Sequence, residues 1–146
     1  MLRRALVLSA AAACVVAAVA APGPASAAVP DVWVVPASFT EPALGHRLGF
    51  TEVRLSHPST RRVVVELKTR NGTAKAGQDF VRLFPTVVFK PGQTRRTVSV
   101  ELLSDTRVER LEYLHLAILS ASHATPAKGG KIWIRDSGVS SAADAS

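Results

Sequence analysis

The feature that most constrains this chain is an alternation of apolar and polar residues with a period of two, which sets in after Pro30. "RVVVELKTR" places Val63, Val65, Leu67 and Thr69 on one face and Val64, Glu66, Lys68 and Arg70 on the other. "RTVSVELL" turns Val98, Val100 and Leu102 inward, with Thr97, Ser99 and Glu101 outward. "EYLHLAIL" turns Leu114, Leu116 and Ile118 inward, with Tyr113, His115 and Ala117 outward, and "KIWIR" sets Ile132 and Ile134 against Trp133. This is the pattern of strands with one dry and one wet face. Shorter candidates are Val32–Val35, Gly49–Ser56 and Thr86–Lys90. Turn signals separate the runs: "SHPST", "RNGTAKAGQD", "KPGQT" and "AKGGK". Helical spacing is absent after residue 30, so the expected fold is all-β: a β-sandwich of seven or so short strands.

The first thirty residues obey a different rule. Arg3 and Arg4 precede an apolar run from Ala5 to Ala21, and Ala25-Ser26-Ala27 follows the breakers Pro22, Gly23 and Pro24. That is the layout of a secretory signal peptide, expected to be cleaved near Ala27. The run is rich in alanine and short for a membrane-spanning helix, so no span is expected after cleavage. The one cysteine, Cys14, lies in this leader. Its context is poor for lipidation, because Ala11 stands where a large aliphatic residue is preferred. Removing 27 of the 146 residues leaves 119, one domain without cysteine and therefore without disulfides. The leader takes two arginines and no acids with it, so the formal charge falls from +7 to +5. Residues 28–136 are expected to form the sandwich, and the small, polar 137–146 a disordered tail. The basic residues are scattered, which suits a solvated surface or loose contact with an acidic envelope polymer. No basic stripe interleaved with aromatics points to nucleic acid.

Taken in order, "LSHPST", "VVVELKTRNGTAKAGQDF", "TVVFKPGQTRRTVSVELLSDTRVERLEYLHLAIL" and "GGKIWIRDS" resemble the Calx-beta family, the β-sandwich repeats named from sodium–calcium exchangers. The resemblance runs from about Val32 to Asp136 and implies a seven-stranded antiparallel β-sandwich of immunoglobulin-like shape. In exchanger members, loops at one end of the sandwich hold calcium, so the resemblance implies calcium as the cofactor and a cluster of acids as its ligands. Glu41 matches the early acid after the first strand, and Asp79 the acid of the "GTAKAGQD" loop. Asp105 matches the second of the paired acids after "VELL". Glu109 and Glu112 match the two glutamates that follow, and Asp136 the first terminal aspartate. Ser104, Ser137 and Gly138 each stand where the family has an acid, and Arg107, Arg110 and Arg135 add positive charge nearby. The expected ligand set is thus Glu41, Asp79, Asp105, Glu109 and Asp136, enough for one weak calcium. The alternative for each acid is structural. Asp79 and Asp105 would cap turns, and Glu109 and Glu112 would pair with Arg82, Arg107 or Arg110.

Other signals are weaker. Asn71-Gly72-Thr73 is a formal glycosylation sequon but reads as the family's turn. The four histidines have no ligand spacing, and Trp33 and Trp133 read as packing residues rather than sugar platforms. No acid, base and nucleophile assemble, and there is no glycine-rich phosphate loop, so an enzyme is not expected. The expected function is a non-catalytic, exported binding or structural module, secreted or attached to the cell envelope, with an unidentified protein or envelope polymer as partner. The alternative is a metal-independent scaffold that contacts acidic polymers through its basic surface.

Overall fold

The computed structural model describes residues 28–104 and 109–137; the leader (1–27), Asp105 and the residues after Ser137 lie outside them. Nine strands and no helix form among the described residues: β1 (Asp31–Val34), β2 (Ala37–Thr40), β3 (His46–Leu55), β4 (Val63–Asn71), β5 (Thr86–Phe89), β6 (Arg95–Leu103), β7 (Glu112–Ser122), β8 (Thr125–Lys128) and β9 (Gly130–Arg135). One sheet has the order β6-β3-β1-β8 and the other β2-β9-β7-β4-β5. Their inner faces enclose one core, with Val32, Val53, Val63, Leu67, Phe80, Phe89, Val100, Leu102, Leu114, Leu116, Ile132 and Ile134 among its buried side chains. The inward sets read from the alternation supply most of it.

The count of seven is corrected to nine because the first and last strands each divide between the two sheets. β1 pairs with β3, but after Val35 and Pro36 the chain crosses and β2 pairs with β9. Pro36 has no N–H to give a ladder, so the first strand breaks there. Val35 is held at the crossing on both sides: its N–H donates to Glu52 O at 2.8 Å, and its carbonyl accepts from Thr51 Oγ1 at 2.6 Å. At the far end β8 and β9 are separated by Gly129, where a Cβ would approach Leu116 O to 2.9 Å. The sandwich is also not wholly antiparallel. The divided strands pair in parallel, β1 with β8 and β2 with β9. β2 and β8 escape the alternation because "ASFT" is half exposed and "TPAK" is exposed throughout and contains a proline, a residue confined to edge strands.

One further departure lies in β7. Glu66 pairs with Ser120 but Leu67 pairs with Ile118, so Leu119 is an extra residue, a β-bulge. Beyond it the inward phase moves from Ile118 to Ala121, both packed against the core, and Leu119 is left exposed.

The registers decide which strand ends meet. Thr40 lies beside Arg135, Glu112 beside Ile134, Asn71 beside Leu114, and His46 beside Leu103. The segment after β4 joins the two sheets at this end, since Phe80 bridges to Leu102 while Ala74 N–H donates to Tyr113 O at 3.0 Å. All described acids of the expected ligand set therefore fall at one end of the sandwich.

Candidate metal centre

"NGTAKAGQDF" builds the centre of that end. Asn71 closes β4, and its Oδ1 accepts from Ala76 N–H at 3.2 Å. Gly72 lies against Tyr113 so closely that a Cβ would collide with that residue's ring and carbonyl. Thr73 Oγ1 accepts from Tyr113 N–H at 3.0 Å, which with the Ala74 bond ties the turn to β7. Ala74 and Phe80 are fully buried and anchor the loop on the core. Gly77 takes φ +88°, a left-handed conformation that a side chain disfavours, and its N–H donates to Phe80 O at 2.8 Å.

These anchors fix Asp79, which is only 5% exposed. Its N–H donates to Lys75 O at 3.0 Å, its carbonyl accepts from Leu103 N–H at 3.0 Å, and its Oδ2 accepts from Lys75 N–H at 2.6 Å. Asp79 is therefore the turn residue that the structural alternative supposes. It is also more than that. One carboxylate oxygen each from Asp79, Glu109 and Glu112 lie within 4.8 Å of one another.

Glu112 carries the electrostatic strain of this group. Its Oε2 is buried, and when ionised it has no donor among the described residues. Burial first, then the charge of Asp79 and then that of Glu109 push its pKa from 4.5 up to about 7. A hydrogen bond with Asp79 adds to the rise, one that Glu112 makes only as the protonated acid, and the charge of Lys75 opposes it. Among the described residues the charges acting on Glu112 are Asp79, Glu109 and Lys75, mainly carboxylates; Arg107 of the structural alternative lies outside them.

The remaining acids of the expected set are placed as follows. Asp136 sits just past β9, and its Oδ2 accepts from Glu109 N–H at 3.1 Å, so it positions the Glu109 backbone. Ser137, at a position where the family has an acid, turns its Oγ to Asp136 Oδ1 at 3.5 Å. Glu41 is 7% exposed just past β2, and its N–H donates to Arg135 O at 2.8 Å. Asp105 lies outside the described residues. Glu112, absent from the expected set, joins the group. The sequence carried the signal: Glu112 continues the inward phase of Leu114 and Leu116, so strand geometry aims its side chain into the sandwich end.

Most of the chain, from within β2 onward, matches a known family model. The Calx-beta domain model covers residues 39–140. This chain belongs to the Calx-beta family. Sodium/calcium exchanger 1 of Canis lupus familiaris is 35% identical to this Calx-beta chain over 77 residues, 51% of this chain and 8% of the exchanger. Sodium/calcium exchanger 2 of Homo sapiens is 34% identical over 56 residues, 38% of this chain and 6% of the exchanger. The chain thus spans under a tenth of the length of these relatives. Among solved structures, the apo-form Calx CBD1 domain superposes with a TM-score of 0.60 at 21% identity, covering 73% of this chain and 97% of that one. The calcium binding domain CBD12 of CALX1.1 superposes at 0.64 with 22% identity, over 72% of this chain and 45% of that one. At such identities these likenesses establish the fold.

The three carboxylates fit a calcium ion. Calcium takes oxygens at about 2.3–2.6 Å, so two ligands of one ion stand at most about 5 Å apart. The spacing here is within that limit. A cation between them would also offset the burial and the neighbouring carboxylate charge that raise the Glu112 pKa, and would give its buried oxygen a partner.

Proposed function

We propose that this Calx-beta domain is a non-catalytic binding module that takes one calcium ion at Asp79, Glu109 and Glu112. Asp136 positions Glu109, and Glu41 is tied by its N–H to Arg135 O, next to Asp136 in the chain. The observation that carries this reading is the convergence of three carboxylates within 4.8 Å around a buried, unpartnered Glu112 oxygen. With few acids the ion completes its six to eight oxygens from carbonyls and water, which suits weak binding of the extracellular kind, with Kd of about 10⁻⁴–10⁻³ M. The signal-peptide layout of residues 1–27 supports export, which would put the module where calcium is plentiful. The metal-independent alternative, a scaffold held to acidic polymers by its basic surface, leaves the acid group without a role.

Calcium titration by calorimetry tests the proposal. One site is expected, weakened at least about tenfold by Glu109→Gln or Asp79→Asn, with magnesium a poorer ligand. Binding that survives both substitutions unchanged, or no heat at about 10 mM calcium, would remove it.

A further inference from the structure

The outer faces of the two sheets treat their cations differently. On the four-stranded sheet, basic residues meet acids: Arg54 Nη2 lies 2.6 Å from Glu52 Oε2, and His46 Nδ1 lies 3.1 Å from Glu101 Oε1. On the five-stranded sheet the register does the opposite. Arg70 of β4 faces His115 of β7, and His115 faces Lys131 of β9. Three adjacent strands thus set basic side chains in one row, spanning about 10 Å at the ordinary strand spacing. Arg70 and Lys131 flank the imidazole across the row, and no acid stands opposite any of the three. The acid on this face of β4, Glu66, lies well along the strand from Arg70, where it accepts from Ser120 Oγ at 2.8 Å.

The row is also held in place. Lys131 Nζ sits 4.1 Å from the ring centre of Tyr113 and 4.8 Å from that of Trp133, whose rings meet edge to face at 5.3 Å. His115 packs edge-on against the same Tyr113 ring at 5.3 Å. Tyr113 is in turn clamped by Gly72, Thr73 and Ala74. A second cation on this face, Lys68, lies over the Phe84 ring at 5.3 Å. Cation–aromatic contact fixes an ammonium without cancelling its charge.

We infer that the outer face of the five-stranded sheet is a binding surface for a carboxylated polysaccharide, engaged by Arg70, His115 and Lys131. The complement of two ordered cations, Arg70 and Lys131, with a hydrogen-bonding imidazole between them and no acid opposite, is a linear polyanion. Arg70 presents the planar fork that suits a carboxylate. Single-stranded nucleic acid fits less well, because it needs open aromatic faces for its bases and Lys131 lies over both rings. The surface is distinct from the acid cluster and does not depend on calcium.

The test is electrophoresis of the full chain through gels containing polygalacturonate, with dextran as the neutral control and EDTA in every lane. Retardation by polygalacturonate but not dextran is expected. It should weaken as salt rises, and Arg70→Glu should lower the affinity by about tenfold or more. Arg70 is exposed and faces basic neighbours, so this variant is expected to melt no lower than wild type; Arg70→Lys should bind between the two. Equal retardation of wild type and Arg70→Glu would overturn the inference. So would no retardation, or tighter binding to oligothymidylate or to phosphatidylglycerol vesicles than to polygalacturonate.

Discussion

The two ends of the sandwich are built on different terms. At the end opposite the acids, polar groups find partners within the chain. Ser56 Oγ accepts from Asp31 N–H at 2.9 Å, and His57 Nε2 lies 2.7 Å from Ala28 O. Ser59 Oγ accepts from Arg61 N–H at 3.0 Å, and Gln93 Oε1 accepts from Lys90 N–H at 2.9 Å. His123, at φ +56°, reaches Arg62 O at 3.1 Å. At the acid end three carboxylates converge, one of their buried oxygens has no donor, and one pKa is displaced to about 7. Buried polar groups are ordinarily satisfied, so the oxygen left without a donor among the described residues is the reason the proposed ion belongs at this end.

That contrast can be broken at several points. The largest effect is expected from Phe80→Ala, which removes the fully buried ring beneath the Asp79 loop. Denaturant unfolding should show a loss of about 3–5 kcal/mol. A loss below about 1 kcal/mol would mean the loop does not lean on the core. Gly72→Ala comes next. Its Cβ would enter Tyr113 from the backbone side, and overpacking of this kind costs about 1–3 kcal/mol by the same measurement.

A pH series without metal sharpens the comparison further. Glu112 has a folded pKa raised to about 7 above its unfolded value of 4.5, so the native state holds the proton longer. As pH rises from about 4.5 to about 7 the unfolded chain gives up that proton first, and the Glu112 contribution to stability declines. Above pH 7 the penalty is complete, and below 4.5 it vanishes. The decline should be about 1–2 kcal/mol, since the group is partly solvated, and Glu112→Gln should flatten it. The smallest effect belongs to the opposite end. Ser56→Ala should cost about 0.5–1.5 kcal/mol at every pH and leave any calcium response unchanged.

Much of this was legible in the sequence, and the omissions have physical causes. Period-two alternation marks a strand when one face is dry, so β4, β6, β7 and β9 were readable from Val63, Val100, Leu116 and Ile132. β2 and β8 bury no comparable face and are held by parallel pairing to strands distant in sequence, which local pattern cannot register. The bulge at Leu119 is likewise a property of two strands together. For the site, "NGTAKAGQDF" identified the turn and pointed to Asp79, because its glycines and buried Phe80 are demanded by local geometry. Glu112 was left with the surface acids although its inward phase was visible, because acids at strand ends usually face water. Which of Glu41, Glu109 and Asp136 approach Asp79 depends on how β2, β7 and β9 end together.

The central claim is that the Asp79, Glu109 and Glu112 cluster is strained alone and relieved by one cation. It is tested most directly by thermal unfolding of wild type and Glu112→Gln at about pH 8, each with EDTA and with about 10 mM calcium. Wild type should gain about 1.4–2.7 kcal/mol from calcium, a rise of several degrees in melting temperature. Glu112→Gln should melt higher than wild type in EDTA and gain little from calcium. A variant that melts lower than wild type in EDTA, or that keeps the full calcium shift, would contradict the account.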